Sequence, residues 1–73
     1  MKKYKYIFIK QVNEEIFNKK PVYRIYNNKS NEQLGMLYYY PAWRQYVFTQ
    51  ASKGCIFNKS CILDILNFID SEI

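Results

Sequence analysis

Aromatic rings and cationic heads dominate the chemistry of this chain, and they recur side by side. Lys3, Lys5 and Lys10 are interleaved with Tyr4, Tyr6 and Phe8; Arg24 lies between Tyr23 and Tyr26; Trp43-Arg44 leads into Tyr46 and Phe48. Rings stack on nucleobases at roughly 1–3 kcal/mol per base, and bases within a groove hold the phosphates between them. In that chemistry Lys3, Lys5, Lys10, Arg24 and Arg44 are the candidate phosphate contacts, and Tyr6, Tyr26, Trp43 and Tyr46 the candidate stacking platforms. The densest block, Tyr38 to Phe48, holds six aromatic residues around Pro41. Such a block is either core or a surface that stacks on a partner. With few Leu and Val to fill an interior, some of these rings must be core. Trp43-Arg44 reads as a structural corner, the guanidinium on an aromatic face and the indole closing the end of the core. The competing reading is an exposed anchor for a protein partner, since Trp, Tyr and Arg are enriched at interface hot spots.

Catalytic chemistry finds no such support. The chain has no histidine and its two cysteines, Cys55 and Cys61, fall short of the four ligands a structural zinc takes. Asp64 and Asp70 lie on different faces of a predicted helix. Gly35 and Gly54 stand alone, so there is no glycine-rich phosphate loop. Cys61, near a predicted helix N-terminus, is open to a lowered pKa; facing a sheet, it reads as a small core residue. The chain is expected to be no enzyme and to need neither cofactor nor metal.

A total of 73 residues makes one domain, 1–73, and a chain this short buries only about 60% of the surface its unfolded form exposes. Composition still demands folding, with 49% hydrophobic residues and only 2 Gly and 2 Pro. A homodimer is the expected way to bury more. The basic start is followed by an apolar run too short and too interrupted for a signal peptide, and none reaches the roughly 18 residues of a membrane span. The expected location is the cytoplasm of a bacterial host, where both thiols stay reduced. Residues 1–59 carry eleven bases against Glu14, Glu15 and Glu32, a balance of +8; residues 60–73 carry Asp64, Asp70 and Glu72 and no base, a balance of −3. A basic body raises nucleic acid as a partner, although a lysine- and asparagine-rich composition also follows from an AT-rich genome.

Periodicity supplies the scaffold. Lys3 to Gln11 alternates, with Tyr4, Tyr6 and Phe8 on one face and Lys5, Ile7 and Ile9 on the other, as a strand requires. Val12 to Lys20 is a polar connection with room for a hairpin partner. Further strands are predicted at Val22–Tyr26, Gln33–Tyr40 and Gln45–Thr49, with a short last one at Cys55–Phe57. Asn27–Asn31 and Pro41–Arg44 supply the turn chemistry between them. The period then changes: Ile62, Ile65, Leu66, Ile69 and Ile73, widened by Cys61 and Phe68, form the stripe of a helix over 59–72. Asn58 caps it, and Phe57 packs on Ile62 as a hydrophobic staple. The predicted fold is α+β: an antiparallel meander of four to five strands within residues 3–57, with one C-terminal helix packed on one face.

The runs Leu34-Gly35-Met36-Leu37-Tyr38-Tyr39-Tyr40-Pro41-Ala42-Trp43-Arg44-Gln45-Tyr46-Val47-Phe48 and Ile56 to Ile69 resemble a family of short proteins from bacteria, phages and mobile elements. Its members share a Trp-Arg-Gln-Tyr core and a cysteine-led C-terminal helix. The resemblance covers roughly residues 22 to 72 and implies context more than chemistry: a small accessory gene of the kind phages direct against host machinery or host defence. At the level of topology alone, the predicted fold is also similar to the transcription-coactivator type of single-stranded-DNA-binding fold, which dimerises and binds DNA across its strands. The expected function is therefore nucleic-acid binding, single-stranded DNA above all, through a basic aromatic sheet surface. The alternative is an inhibitor of a bacterial defence system, of the anti-CRISPR type, acting by protein contact on a host defence protein.

Overall fold

A computed structural model describes residues 1–12 and 20–73. Its elements are β1 (Lys2–Lys3), β2 (Ile7–Val12), β3 (Val22–Asn27), β4 (Gln33–Tyr40), β5 (Gln45–Gln50) and α1 (Lys59–Glu72). All strand pairs are antiparallel and the spatial order is the chain order, β1-β2-β3-β4-β5. The sheet is thus an open meander with β1 and β5 at its edges, followed by one helix, the α+β architecture that the periodicities predict. The predicted connection across residues 13–19 lies outside the described residues.

Register decides which side chains share a face. Ile9 pairs with Ile25, Ile25 with Gly35, Tyr23 with Leu37, Leu37 with Phe48 and Tyr39 with Tyr46. Together with Ile7 these residues form one face, and α1 lays Cys61, Ile65 and Phe68 on it. The Phe68 ring meets Tyr23 edge-on, centroids 5.0 Å apart. Ile7, Ile9, Ile25 and Leu37 are sealed completely, and each buried aliphatic side chain of this kind contributes roughly 1.5–3 kcal/mol. A register shift at Ile25/Tyr26 inserts an extra residue on β4. The bulge lets Leu34 and Leu37, three residues apart, both reach the core.

The turns work as their residue types suggest. Asn27 Oδ1 accepts the backbone N–H groups of Lys29 (2.8 Å) and Ser30 (3.1 Å), and Asn31 takes the left-handed conformation at φ 59°. At the β4–β5 turn, the Trp43 N–H donates to Tyr40 O and the Arg44 N–H to Pro41 O. Arg44 closes that turn at φ 55°. Asn58 Oδ1 accepts the Cys61 N–H at 2.8 Å, capping α1 three residues in.

Three expectations need correction. The predicted strand from Lys3 to Gln11 is broken: Tyr4 N–H donates to Ile7 O, and the Asn28 amide donates to the carbonyls of Tyr4 and Lys5. The chain therefore turns between β1 and β2, so Tyr4 packs against the core instead of sharing Phe8's face. Cys55–Phe57 forms no strand; Cys55 N–H closes a turn on Ser52 O, Ile56 projects into solvent at 86% exposure, and Phe57 packs edge-on against Phe48. The centre of the helix stripe is Cys61-Ile65-Phe68, while Ile62 and Leu66 stay half exposed. Among the described residues no helix is long and apolar enough to cross a membrane.

Candidate functional site

The helix covers one face of the sheet, and among the described residues no element covers the other, so the site is sought there. Strand alternation places on that open face the residues whose register partners are Lys3↔Phe8, Phe8↔Tyr26, Lys10↔Arg24, Arg24↔Met36 and Tyr38↔Val47, with Tyr40 at its end. Phe8 and Tyr26 stack, centroids 5.0 Å apart and planes inclined by 13°. The flat pair is flanked by cations, Lys3 directly across from Phe8 and Lys10 directly across from Arg24. Among the described residues no strand contains an Asp or Glu. The acids of the described chain are Glu32, in a turn, and Asp64, Asp70 and Glu72, on α1. Among the described residues the strands are thus basic, and the helix carries three acids against Lys59.

Beside Phe8 the open face dips into a concavity lined by Met1, Lys3, Phe8, Asn28 and Asn31. The Asn28 NH2 is committed to the Tyr4 and Lys5 carbonyls, so the Lys3 ammonium, the Asn31 carboxamide and the Asn28 Oδ1 are the donors and acceptors this concavity offers to a nucleobase edge. At the other end of the face, the Trp43 indole meets Tyr40 edge-on at 5.4 Å and is 66% exposed. It does not close the core, contrary to the corner reading; the turn holds it out beyond the end of the sheet.

The structure gathers Lys3, Lys10, Arg24 and Tyr26 on one surface and sets Trp43 and Arg44 at its far end. Lys5 and Tyr6 sit in the β1–β2 turn, where the Lys5 ammonium lies 5.3 Å from the Tyr6 ring centroid. Tyr46 is elsewhere. It lies on the helix side, tilted against Tyr23 and edge-on to Tyr39, and its hydroxyl donates to Pro21 O at 2.7 Å. Tyr46 thus tethers β5 to the start of β3 and takes no part in the open face. Phe8, Tyr38, Tyr40, Asn28 and Asn31 belong to the surface although none of them was among the candidate stacking or phosphate contacts. The signal for Phe8 was its position between two inward isoleucines.

Two tyrosines have hydroxyls pushed above the usual range. Burial is the main cause for Tyr4, reinforced by the Glu72 and Asp64 carboxylates; burial and then Tyr23 act on Tyr46. Both are structural groups on the helix side. Cys61 is a buried free thiol and Cys55 a half-buried one, its Sγ 3.5 Å from Ser52 Oγ. Among the described residues no cluster of three metal-ligating side chains occurs. No family model, curated protein or solved structure matches the chain, so its function is read from its own residues.

Proposed function

We propose that this protein is a non-enzymatic nucleic-acid-binding domain that takes single-stranded DNA on the open face of its sheet. One observation carries the reading: a stacked Phe8–Tyr26 pair flanked by Lys3, Lys10 and Arg24, on strands that hold no carboxylate among the described residues. Bases stack on the rings, phosphates lie along the cations, and the concavity beside Phe8 receives one base edge. Tyr38, Tyr40 and Trp43 extend the platform toward β5. The test is anisotropy of a labelled oligonucleotide between about 50 and 200 mM salt, where three phosphate contacts give a log–log slope near −2 on single strands. A flat titration at the low-salt end rejects the proposal.

A second reading rests on Trp43. An indole two-thirds exposed at a turn apex, next to Arg44, has the composition of an interface hot spot. It favours an inhibitor that docks on a host defence protein, with a phage or mobile element as the source. A partner captured from host lysate that survives nuclease treatment and is lost with Trp43→Ala supports it; capture that vanishes with nuclease supports the first reading.

A further inference from the structure

The two edges of the sheet are built differently. β1 is two residues long and both are lysines, a short charged edge of the kind that discourages pairing. β5 runs for six residues, Gln45-Tyr46-Val47-Phe48-Thr49-Gln50, with no charge, no proline and no bulge in its pairing with β4. Ala51 N–H donates to Leu34 O at 2.9 Å. Alternation along the antiparallel ladder then turns the backbone groups of Val47 and Thr49 toward β4 and those of Tyr46, Phe48 and Gln50 outward. Alongside this edge, on the helix side, runs an apolar groove lined by Phe48, Phe57, Ile62, Ile65, Leu66 and Ile69. Its rim residues Phe48, Ile62 and Leu66 are exposed.

We propose that β5 is the dimer interface, pairing antiparallel with β5 of a second copy about a two-fold axis through Phe48. In that register Phe48 faces Phe48 of the partner subunit and Tyr46 faces Gln50 of the partner subunit. Every outward N–H and C=O of the strand then finds a bond, and the two grooves meet across the seam, bringing Ile62 and Leu66 of both copies together. Charge placement favours a second copy as occupant. Each chain carries a net +5, yet the strand bases lie on β1, β2 and β3, away from this edge. With strands about 4.8 Å apart, the nearest strand bases of a ten-stranded sheet, Arg24 of each copy, are five intervals, roughly 24 Å, from each other. That is well beyond the ~8 Å screening length of physiological salt. Arg44 and Lys53 lie beyond the two ends of the strand and are exposed to solvent; the register brings Arg44 of one copy near Lys53 of the partner subunit at each end of the seam, a repulsion that salt screens. A standard interface of about 800 Å² per copy corresponds to roughly 15% of the 5290 Å² surface.

Sedimentation equilibrium in the absence of nucleic acid tests this, so its outcome is separate from that of the binding assay. The expected result is twice the 8.9 kDa chain mass at micromolar concentration, with slow hydrogen exchange at the Tyr46, Phe48 and Gln50 amides. Thr49→Lys sets two lysines diagonally across the seam, and Leu66→Lys charges the groove. Both positions are exposed in the single chain, so each variant should stay folded by circular dichroism and sediment as a monomer with those three amides unprotected. A wild-type monomer up to about 100 µM, well above the micromolar affinity of a weak specific complex, overturns the proposal. So does a dimer that survives both substitutions, or one that leaves the three amides in fast exchange.

Discussion

The Phe48 ring lies over Gly35 so closely that a Cβ at position 35 would stand 2.5 Å from Phe48 Cε1 and 2.6 Å from the Thr49 carbonyl oxygen. The missing side chain on β4 is what lets a β5 ring lie flat against the sheet and reach Phe57. Gly35→Ala should therefore destabilise the fold by about 1–3 kcal/mol through overpacking, outweighing the roughly 0.5–1 kcal/mol that alanine gains over glycine within a strand. Urea melts measure it. In a Phe48→Leu background the penalty should shrink without vanishing, because the Thr49 carbonyl remains; equal penalties in both backgrounds would show that the ring is not the obstacle.

The cap of α1 gives a second measurable quantity. Asn58→Ala removes the acceptor for the Cys61 N–H and should lose about 1 kcal/mol. Asn58→Asp keeps that acceptor and adds a negative charge at a helix start whose first turn holds no acid. It should be at least as stable as the parent at pH 7, and should lose the advantage below the aspartate pKa.

Tyr4 predicts an alkaline weakness. Its hydroxyl is buried with no hydrogen-bond partner, and its pKa is raised above 10.0 by burial, then by Glu72 and Asp64. The folded state therefore holds this proton more tightly than the unfolded chain does. The associated stability is complete below pH 10.0 and is lost as pH rises through the folded-state value. Tyr4→Phe removes an unpaired polar group, so it should match or exceed the parent at pH 7 by up to about 1 kcal/mol. Thermal melts between pH 8 and 11 (on either side of a tyrosine pKa near 10) should show the variant losing less stability than the parent.

Tyr26 and Tyr46 separate binding from folding. Tyr26→Ala should weaken oligonucleotide binding by about 5- to 150-fold, the equivalent of one lost stacked base. Tyr46→Phe breaks only the hydroxyl's bond to Pro21 O. It should lower stability by about 0.5–1.5 kcal/mol and leave the affinity of the folded protein unchanged. A binding loss for Tyr46→Phe with none for Tyr26→Ala would place the ligand on the helix side.

Arg44 needs a substitution that respects its backbone. At φ 55°, alanine would keep the left-handed strain while removing the side chain, whereas glycine adopts this region without it. Arg44→Gly should fold with stability within about 1 kcal/mol of the parent. Any loss of affinity or of captured partner then reports the guanidinium alone.

Most of the elements were legible in the sequence; the single Lys3–Gln11 strand and the Cys55–Phe57 strand were not observed. Alternation and helical spacing gave β3 to within a residue, β4 and α1 at their observed bounds, and the asparagine and proline turns, because each depends on residues within a few positions of one another. The division of the aromatic residues needed tertiary structure. Alternation says that Tyr38 and Tyr39 point oppositely, but not which of them meets the helix; the helix settles that by covering the face that carries Ile7, Ile9 and Ile25. The bulge at Ile25/Tyr26 shifts parity part-way along a strand, so no single period places both Leu34 and Leu37. The break after β1 depends on Asn28, more than twenty residues away from Tyr4 and Lys5, whose carbonyls its amide holds. Lys3, Lys10, Arg24 and Tyr26 were recognisable one by one from their types. Their assembly on one face is a product of register, which is set by long-range pairing and by burial of the opposite side.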